Sequence, residues 1–319
     1  MAEREPDNAV DRRIWLDGEL VPWDEVRVHV LSHSLQRGSL IFDYLSVHAT
    51  SRGPAVFRLR EHVERFQRSA ELVGLPLRYD RDAIEAAIVA AVRANPGAKA
   101  VKASAYFASI EVDVVPLDDR VSLAIAAYDP GPDIVQRKPR KPHFSPLLSL
   151  WIEKERRNRR DDIVPPQAKV AANYTSPMGA KWAAQRAGYD DILLVDEAGF
   201  VAEGPTTNVF LVEEDGSLRT PPEAKVLLGV TRSSIIALAK NDGIPVCEEP
   251  LRPERLLGAA EVFVTGTTAG VWPVGSVDGQ DIGEGAPGPV SQRLRERFAR
   301  VVSGDDPAFA HWLTFVDEV

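Results

Sequence analysis

The chain has 319 residues, a length that favours two domains over one and allows a sizeable buried core. Its composition, 44% hydrophobic and 27% charged, is typical of a soluble globular protein. The formal net charge of −9 argues against a general binder of nucleic acid or anionic membranes, because such proteins carry net or clustered positive charge. Small anionic ligands remain compatible with a locally basic pocket.

Cysteine usage and the chain's first residues bear on its compartment. Cys247 is the single cysteine, which excludes an intrachain disulfide and a thiolate metal cluster within one chain. Residues 1–7 are charged and polar where a signal peptide has an apolar run, and no stretch approaches the length of a membrane-spanning helix. The histidines show no metal-ligand spacing. We therefore expect a cytoplasmic protein without a metal site.

The first portion of the chain carries strand and helix signals in turn. Asp17-Gly18 lies between two short apolar runs, which predicts a β-hairpin at residues 14–21. Apolar residues recur at steps of three and four from Leu59 to Val73, ahead of a glycine, and predict an amphipathic helix. A second helix is expected to begin after Asp80, a suitable N-cap.

Two further strands, at residues 101–108 and 121–128, predict that helices pack on a mixed sheet in this portion. A proline-rich run with the basic stretch 137–141 follows, and it favours an exposed connection over a binding patch. We place the domain boundary there. The expectation is an α+β chain with a smaller N-terminal domain at residues 1–135 and a larger C-terminal domain at residues 136–319.

The second portion alternates between strands and helices. The expected elements are strands at 191–196, 208–212 and 261–265 and helices opened by Ser176-Pro177 and by Gly229. This alternation continues almost to the end of the chain.

Lys169 lies between a stiff Pro165-Pro166 pair and the small residues Ala171-Ala172, which let a flat ring approach. A lone lysine is most often a surface charge. However, a lysine amine that is desolvated and close to other positive charge becomes a nucleophile towards an aldehyde. Tyr174 follows in the same segment and suits a hydrogen bond to a phenolate oxygen, although a partly buried aromatic residue is the simpler reading.

Two other features complement this lysine. Glu203 ends a hairpin and suits a protonated ring nitrogen, or else it is an exposed turn acid. Val230 and Thr231 open a helix, and Gly266-Thr267-Thr268 follows a strand, so both places offer donors to a phosphate. Helix capping or a tight turn explains either place alone. An amine, an anion and phosphate donors together are what pyridoxal 5'-phosphate (PLP) requires.

Six segments follow one another in an order that is specific as a set: 57–65, 169–174, 188–191, 201–204, 229–232 and 266–269. As a set they resemble the class IV PLP-dependent aminotransferases, also called fold type IV. The likeness runs from about Trp15 to the C-terminus. Pro287-Gly288-Pro289 and the tail His311-Trp312-Leu313 are similar to the branched-chain aminotransferase branch of that family.

The resemblance implies a homodimer of two-domain subunits with PLP at the domain interface. By this likeness Lys169 binds the aldehyde and moves the substrate proton, Tyr174 bonds the ring hydroxyl, and Glu203 pairs with the ring nitrogen. The residues implied for the phosphate are Arg65, Val230, Thr231 and Thr267.

The implied substrate pocket is where the chain departs from the family pattern. The residues implied there are Arg37, Phe42, Tyr44, Lys102, Thr268 and Ala269. Branched-chain members typically carry tyrosine at Arg37, Glu-Gly at Asp43-Tyr44 and arginine at Lys102. Because lysine cannot reproduce the bidentate guanidinium geometry, the substrate carboxylate is left to Lys102 or Arg37.

The leading hypothesis is a transaminase that moves an amino group between a branched-chain L-amino acid and a 2-oxo acid such as 2-oxoglutarate by a ping-pong mechanism. Residues 268–273 are similar to a loop of (R)-selective amine transaminases. Gln36-Arg37-Gly38 is similar to a segment of D-amino-acid transaminases and aminodeoxychorismate lyases. A D-amino-acid or (R)-amine transaminase is therefore the second hypothesis, and an aminodeoxychorismate lyase the third.

Overall fold

The computed structural model describes residues 11–135, 146–157 and 160–318. Contacts divide the chain into two compact units, Met1–Pro142 with Trp312–Val319, and His143–His311. The predicted basic connection at 137–141 lies outside the described residues.

The C-terminal tail differs from the expected division, which placed all of residues 136–319 in the second domain. In the structure the strand Leu313–Phe315 pairs antiparallel with Gly53–Phe57 of the first unit. The ring of Trp312 also packs edge-on against Phe57, with ring centroids 5.9 Å apart. These contacts, which sequence spacing does not reveal, explain why the tail groups with the first unit.

The first unit consists of one sheet with helices. Its elements are β1 (Arg13–Leu16), β2 (Glu19–Pro22), α1 (His33–Arg37), β3 (Ile41–Thr50), β4 (Gly53–Phe57), α2 (Leu59–Val73), α3 (Arg81–Arg93), β5 (Ala100–Phe107), β6 (Val121–Tyr128) and β15 (Leu313–Phe315). The strand order is β15-β4-β3-β5-β6-β1-β2. The pairings are antiparallel, so the expectation of a mixed sheet in this portion is wrong.

Local signals explain several of these elements. Asp17 and Gly18 have φ values of 49° and 108°, the left-handed conformations that a two-residue hairpin turn needs. The helix α2 ends at Gly74, whose φ is 70°. The side chain of Asp80 accepts a hydrogen bond from the Ala83 amide at 2.8 Å and caps α3. The predicted hairpin and both predicted helices are confirmed.

Strand β3 alternates between a buried face and a half-buried face. Ile41, Leu45 and Val47 are buried on one side, and Asp43 is the polar residue of that same side, with 1% of its surface exposed. The helix α2 packs on β3. Residues of even number in β3 point to the other face. The strand therefore presents two separate sets of side chains, one towards α2 and one away from it.

The second unit is built on a mixed sheet. Its elements are β7 (Leu148–Glu153), α4 (Ala172–Thr175), α5 (Met178–Arg186), β8 (Asp191–Leu194), β9 (Asn208–Val212), β10 (Leu218–Thr220), α6 (Val230–Asn241), β11 (Val246–Glu248), α7 (Pro253–Leu257), β12 (Glu261–Gly266), β13 (Gly270–Val277), β14 (Gln280–Asp281) and α8 (Pro289–Val302). The strand order is β11-β10-β9-β12-β13-β7-β8, and β14 pairs with β13.

The two faces of the central strands β9 and β12 have different partners. Val209, Leu211 and Val264 belong to the main apolar cluster of this unit. On the other face, the rings of Phe210 and Phe263 stack with centroids 5.1 Å apart. The helix α6 packs on β12. The first residues of α6 therefore lie close to the ends of these two strands.

The predicted helix start at Ser176-Pro177 is wrong in its cap. Ser176 has φ of −57° and ψ of −48°, which is already helical, and the helix α5 begins after Pro177 without a side-chain cap from the described residues. An N-cap residue needs non-helical backbone, and the short helix α4 that precedes Ser176 removes that possibility. The predicted strands and the helix after Gly229 are confirmed.

Candidate active site

Lys169 is a buried lysine, with 9% of its surface exposed, in the segment that leads into α4. Its Nζ donates a hydrogen bond to the hydroxyl of Tyr174 at 2.8 Å and lies 5.2 Å from the centre of that ring. Ala168 and Val170 on either side are buried as well. The amine is thus held away from bulk water, next to a phenol, as a nucleophilic lysine requires.

Side-chain amides fix the Lys169 segment in place. Asn173 donates from Nδ2 to the carbonyl of Ala168 at 3.0 Å. Gln167 donates from Nε2 to the carbonyls of Glu223 and Ala224 at 3.0 and 2.9 Å. The second pair of bonds ties the lysine segment to residues 223–227, which precede α6.

Glu203 is a buried carboxylate with 3% of its surface exposed. Its Oε2 accepts hydrogen bonds from Nδ2 of Asn208 and from the backbone amide of Leu227, both at 3.1 Å. Asn208 also donates to the carbonyl of Leu227 at 3.0 Å. These two donors are neutral, so they hold the carboxylate in position without adding positive charge. Glu203 and Lys169 are thus both anchored to the segment 223–227.

The N-terminus of α6 follows directly. Gly229 occupies the N-cap position, so the amide donors of the first turn have no capping oxygen from a Gly229 side chain. Val230 and Thr231 are buried, 5% and 3% exposed. A Cβ atom on Gly229 would overlap the side-chain amide of Asn208. The close approach of backbone to Asn208 explains the glycine and places this helix end beside Glu203.

Thr267, Thr268 and Ala269 form the turn between β12 and β13. At the start of this turn, a Cβ on Gly266 would lie 3.3 Å from the carbonyl of Thr206, which belongs to the loop after Glu203. Thr265 is paired across the sheet with Asn208, and its buried Oγ1 has no hydrogen-bond partner within the described part of the chain. An unsatisfied buried hydroxyl at this place is a potential partner for a ligand.

In the first unit, Arg65 of α2 lies against Asp43 of β3. Its Nε and Nη2 donate to the two carboxylate oxygens of Asp43 at 2.9 and 2.8 Å. His62 Nδ1 lies 2.7 Å from Asp43 Oδ1. Although burial raises it, the charges of Arg65 and His62 lower the pKa of Asp43 well below its usual value. Asp43 is therefore ionised, and Arg65 is held in a two-pronged ion pair.

Phe42, Tyr44 and Lys102 meet on the half-buried face of the same sheet. Tyr44 and Lys102 are opposite each other in the β3–β5 register. The Nζ of Lys102 lies 4.7 Å from the centre of the Phe42 ring, a cation–π contact, and desolvation lowers the pKa of Lys102. Three of the residues expected in the substrate pocket are thus brought together.

Tyr128 is a member of this group that sequence reasoning missed. It lies at the end of β6, where its hydroxyl is hydrogen-bonded to Tyr44, and burial together with Tyr44 raises the pKa of Tyr128 to about 12. Its ring packs edge-on against Trp23 at 5.8 Å. The strand itself was predicted, but the register that places Tyr128 beside this face depends on cross-strand pairing.

Arg37 occupies a different environment. It is exposed at the end of α1, and its Nη2 donates to the carbonyl of Val112 at 3.0 Å. The structure thus places Arg37 on a loop contact, whereas Lys102 lies with Phe42 and Tyr44. Of the two cations considered for the substrate carboxylate, Lys102 is the one grouped with the other expected pocket residues of the first unit.

Within the described ranges, no cluster of three or more His, Cys, Asp or Glu side chains is arranged to hold a metal ion. The helices in those ranges are also too short or too polar to cross a membrane.

The donors of the second unit fit PLP by type. The buried Lys169 amine suits an aldehyde, and the Glu203 carboxylate, held by neutral donors, suits a protonated ring nitrogen. The N-terminus of α6, with Gly229 as cap, suits a phosphate. The buried Thr265 hydroxyl lies in the same neighbourhood. These observations agree with the cofactor expected from the sequence.

Comparison with known proteins supports this assignment. The family model described as amino-transferase class IV matches residues 41–277. The branched-chain-amino-acid aminotransferase of Escherichia coli (strain K12) is 34% identical over 308 residues, covering 96% of this chain and 97% of that protein. The chain belongs to the class IV aminotransferases.

Solved structures agree in fold over the same length. A branched-chain amino acid aminotransferase from T.th., solved with pyridoxamine 5'-phosphate, has a TM-score of 0.88 and 35% identity, covering 96% of this chain and 99% of that one. The complex of the same enzyme with 4-methylvaleric acid has a TM-score of 0.87, 35% identity and the same coverage. The α+β, fold type IV expectation is confirmed.

Proposed function

We propose that this protein uses PLP to move an amino group between a branched-chain L-amino acid and a 2-oxo acid such as 2-oxoglutarate, in a ping-pong reaction. The observation that carries the proposal is the buried Lys169 amine, 2.8 Å from the Tyr174 hydroxyl, in the unit that also buries Glu203. The substrate class is supported by the near full-length likeness to enzymes named for branched-chain amino acids.

PLP, when bound, supplies an aldehyde that takes up the amino group and a protonated ring that stabilises the negative charge left at the substrate's α carbon. Lys169 provides the amine that binds this aldehyde and afterwards carries the α proton. Tyr174 orients that amine through its hydroxyl and donates to the oxygen on the ring. Glu203 accepts a hydrogen bond from the ring nitrogen and keeps it protonated.

The phosphate is assigned to donors from both units. The amides of Val230 and Thr231 at the start of α6, the hydroxyl of Thr231 and the turn residue Thr267 supply neutral donors. Arg65 supplies the positive charge. Its planar guanidinium can bind a phosphate through two donors at once.

For the substrate, we assign the face formed by Phe42, Tyr44 and Lys102. The Phe42 ring offers an apolar wall to a branched side chain, while the Lys102 ammonium attracts a carboxylate. The hydroxyl of Tyr44, hydrogen-bonded to Tyr128, is positioned to add a neutral donor. Thr268 and Ala269 of the β12–β13 turn are assigned the remaining contacts, and Arg37 is the reserve cation.

A homodimer is part of the proposal because the first unit exposes a large apolar surface. Val112 and Leu117 are 95% and 94% exposed. His33 joins the two loops concerned, since its amide donates to Ser109 and its ring lies 2.8 Å from the carbonyl of Val114. The other exposed apolar residues of these loops are Val28, Val30, Leu31, Leu35, Ile110, Val114 and Val115. Contiguous patches of this kind mark interaction sites.

We also propose a cytoplasmic location, which suits the exposed thiol of Cys247 because reducing conditions keep such a thiol from oxidation.

The test of function is a panel of amino donors of both configurations offered to the purified enzyme with PLP. L-Leucine, L-isoleucine and L-valine with 2-oxoglutarate should each give the matching keto acid, and D-leucine and (R)-1-phenylethylamine should be poor donors. Turnover of (R)-1-phenylethylamine with pyruvate, without turnover of the L-amino acids, would replace the branched-chain proposal with the (R)-amine alternative. Pyruvate released from aminodeoxychorismate without any acceptor would indicate a lyase.

A further inference from the structure

The ion pair between Arg65 and Asp43 has a geometry that fixes the direction of the guanidinium. Nε and Nη2 of Arg65 each meet a different oxygen of Asp43, at 2.9 and 2.8 Å. A guanidinium is planar and carries five N–H donors in a rigid fork. When two donors on one edge are engaged by a carboxylate, the plane of the group and the direction of its Nη1 edge are set.

A second buried group holds the carboxylate itself. His62 Nδ1 lies 2.7 Å from Asp43 Oδ1, and because this oxygen can only accept, Nδ1 carries the proton and donates. Arg65 Nη2 lies 3.3 Å from the same ring nitrogen, so two donors converge on one oxygen. Asp43 therefore has at least three hydrogen bonds to side chains of α2, which leave it one orientation.

The three side chains are buried to different depths. The side chains of Asp43 and His62 are 1% exposed, whereas that of Arg65 is 9% exposed. Arg65 is thus the outermost member, where a ligand can reach it. A buried ion pair contributes little net stability compared with apolar residues of similar volume. Its geometry, which puts two buried groups behind one more exposed cation, points to a role in orientation.

We propose that Asp43 is a positioning residue that aims the Arg65 guanidinium at the phosphate group of the cofactor, with His62 fixing the Asp43 carboxylate. This inference rests on the proposed function, in which Arg65 binds that phosphate. Asp43 itself does not touch the cofactor in this scheme. It acts through Arg65, as the outer partner of a ligand-binding group does.

The test compares PLP with pyridoxal, which has the same ring and aldehyde but no phosphate. Apoenzyme of the full chain is titrated with each compound, and the ratio of the two dissociation constants is recorded. Asp43→Asn places an amide donor against the guanidinium donors and breaks the fork, so PLP affinity should fall by about tenfold or more. Pyridoxal affinity should change by less than about twofold, since Lys169 is untouched.

Two further variants control for charge and for the helix. Asp43→Glu retains a carboxylate and should restore most of the preference for PLP. Glu71→Gln neutralises an exposed acid of the same helix, paired with Arg68 at 3.4 Å, and should leave both affinities unchanged. If Asp43→Asn does not fold, His62→Phe replaces it, because it removes one donor to Asp43 and should cause a smaller loss that is still selective for PLP.

A purely structural role predicts a different pattern. Equal weakening of PLP and pyridoxal, or no weakening of PLP, would overturn the proposal, as would an Asp43→Glu variant no better than Asp43→Asn. Failure of the proposed function would look different again, because the unaltered enzyme would then bind neither compound with a visible absorbance change.

Discussion

Each unit of the protein buries one carboxylate that matters for the proposed chemistry, and the two are held in opposite ways. Glu203 in the second unit accepts hydrogen bonds from two neutral donors, Asn208 and the Leu227 amide. Asp43 in the first unit lies between Arg65 and His62 and forms a two-pronged ion pair. Both are almost completely buried.

This difference indicates what each carboxylate does. Neutral donors position Glu203 and keep its negative charge, which is what a cationic ring nitrogen requires. The guanidinium that meets Asp43 cancels its charge within the first unit, so Asp43 is suited to orient another group rather than to act on a ligand. The second unit is therefore expected to set the rate of reaction, and the first unit the affinity for cofactor and substrate.

The largest expected effect is that of Lys169→Ala. Removing the amine should abolish the visible absorbance of the bound cofactor and lower turnover by on the order of 10⁴-fold or more. Lys181→Ala is the matched control, because Lys181 pairs with Asp191 at 2.9 Å in the same unit and should be dispensable for activity. Absorbance and steady-state rates are measured for both. Substantial turnover in the Lys169 variant would contradict the assignment.

Glu203→Gln should separate the two carboxylates. The amide keeps the shape and can still accept from Leu227, but the negative charge is lost, so turnover should fall by about 10²- to 10³-fold with cofactor still bound. Asp43→Asn at saturating PLP should retain most turnover. Rates at saturating cofactor and PLP affinity are measured side by side. The comparison fails if Glu203→Gln keeps the normal rate, or if both variants lose only cofactor affinity.

Gly229→Ala tests the close contact between α6 and Asn208. The new Cβ would overlap the Asn208 amide and lie 3.3 Å from Cβ of Arg232, so the free energy of unfolding should fall by about 1–3 kcal/mol. Weaker PLP binding should accompany this loss. Gly179→Ala in α5 meets no atom within 4 Å and should raise stability by up to about 1 kcal/mol. Urea unfolding distinguishes the two, and equal stabilities would be evidence against the close approach of Gly229 to Asn208.

His48 gives the smallest expected effect and contrasts with His62. Its Nε2 meets the hydroxyl of Ser46 at 2.8 Å, and burial lowers the pKa of His48 to about 4. Between pH 6.5 and about 4 the unfolded chain binds the proton and the folded chain does not, so stability is present above this window and declines as pH falls. The free energy of unfolding should lose at most about 3 kcal/mol from this residue. His48→Gln should remove that part of the pH dependence; identical pH profiles would contradict it.

The features that sequence predicted are those with local signals. The hairpin at Asp17-Gly18, the cap at Asp80 and the helix after Gly229 depend on neighbours in the chain. Lys169 and Tyr174 were also placed together because they share one short segment.

The features that sequence did not predict depend on pairings between distant segments. The β3–β5–β6 register brings Tyr128 next to Tyr44, and the packing of α2 on β3 brings Arg65 against Asp43. The C-terminal strand pairs with β4, far away in the chain. Apolar periodicity shows which face of an element is buried, but not which element covers it.

The most direct test of the central claim is to locate the covalent link between cofactor and enzyme. The enzyme loaded with PLP is reduced with borohydride, digested, and its peptides are analysed by mass spectrometry. The account predicts a single reduced adduct, on Lys169. An adduct on another lysine, such as Lys102 or Lys225, or no adduct at all, would contradict it.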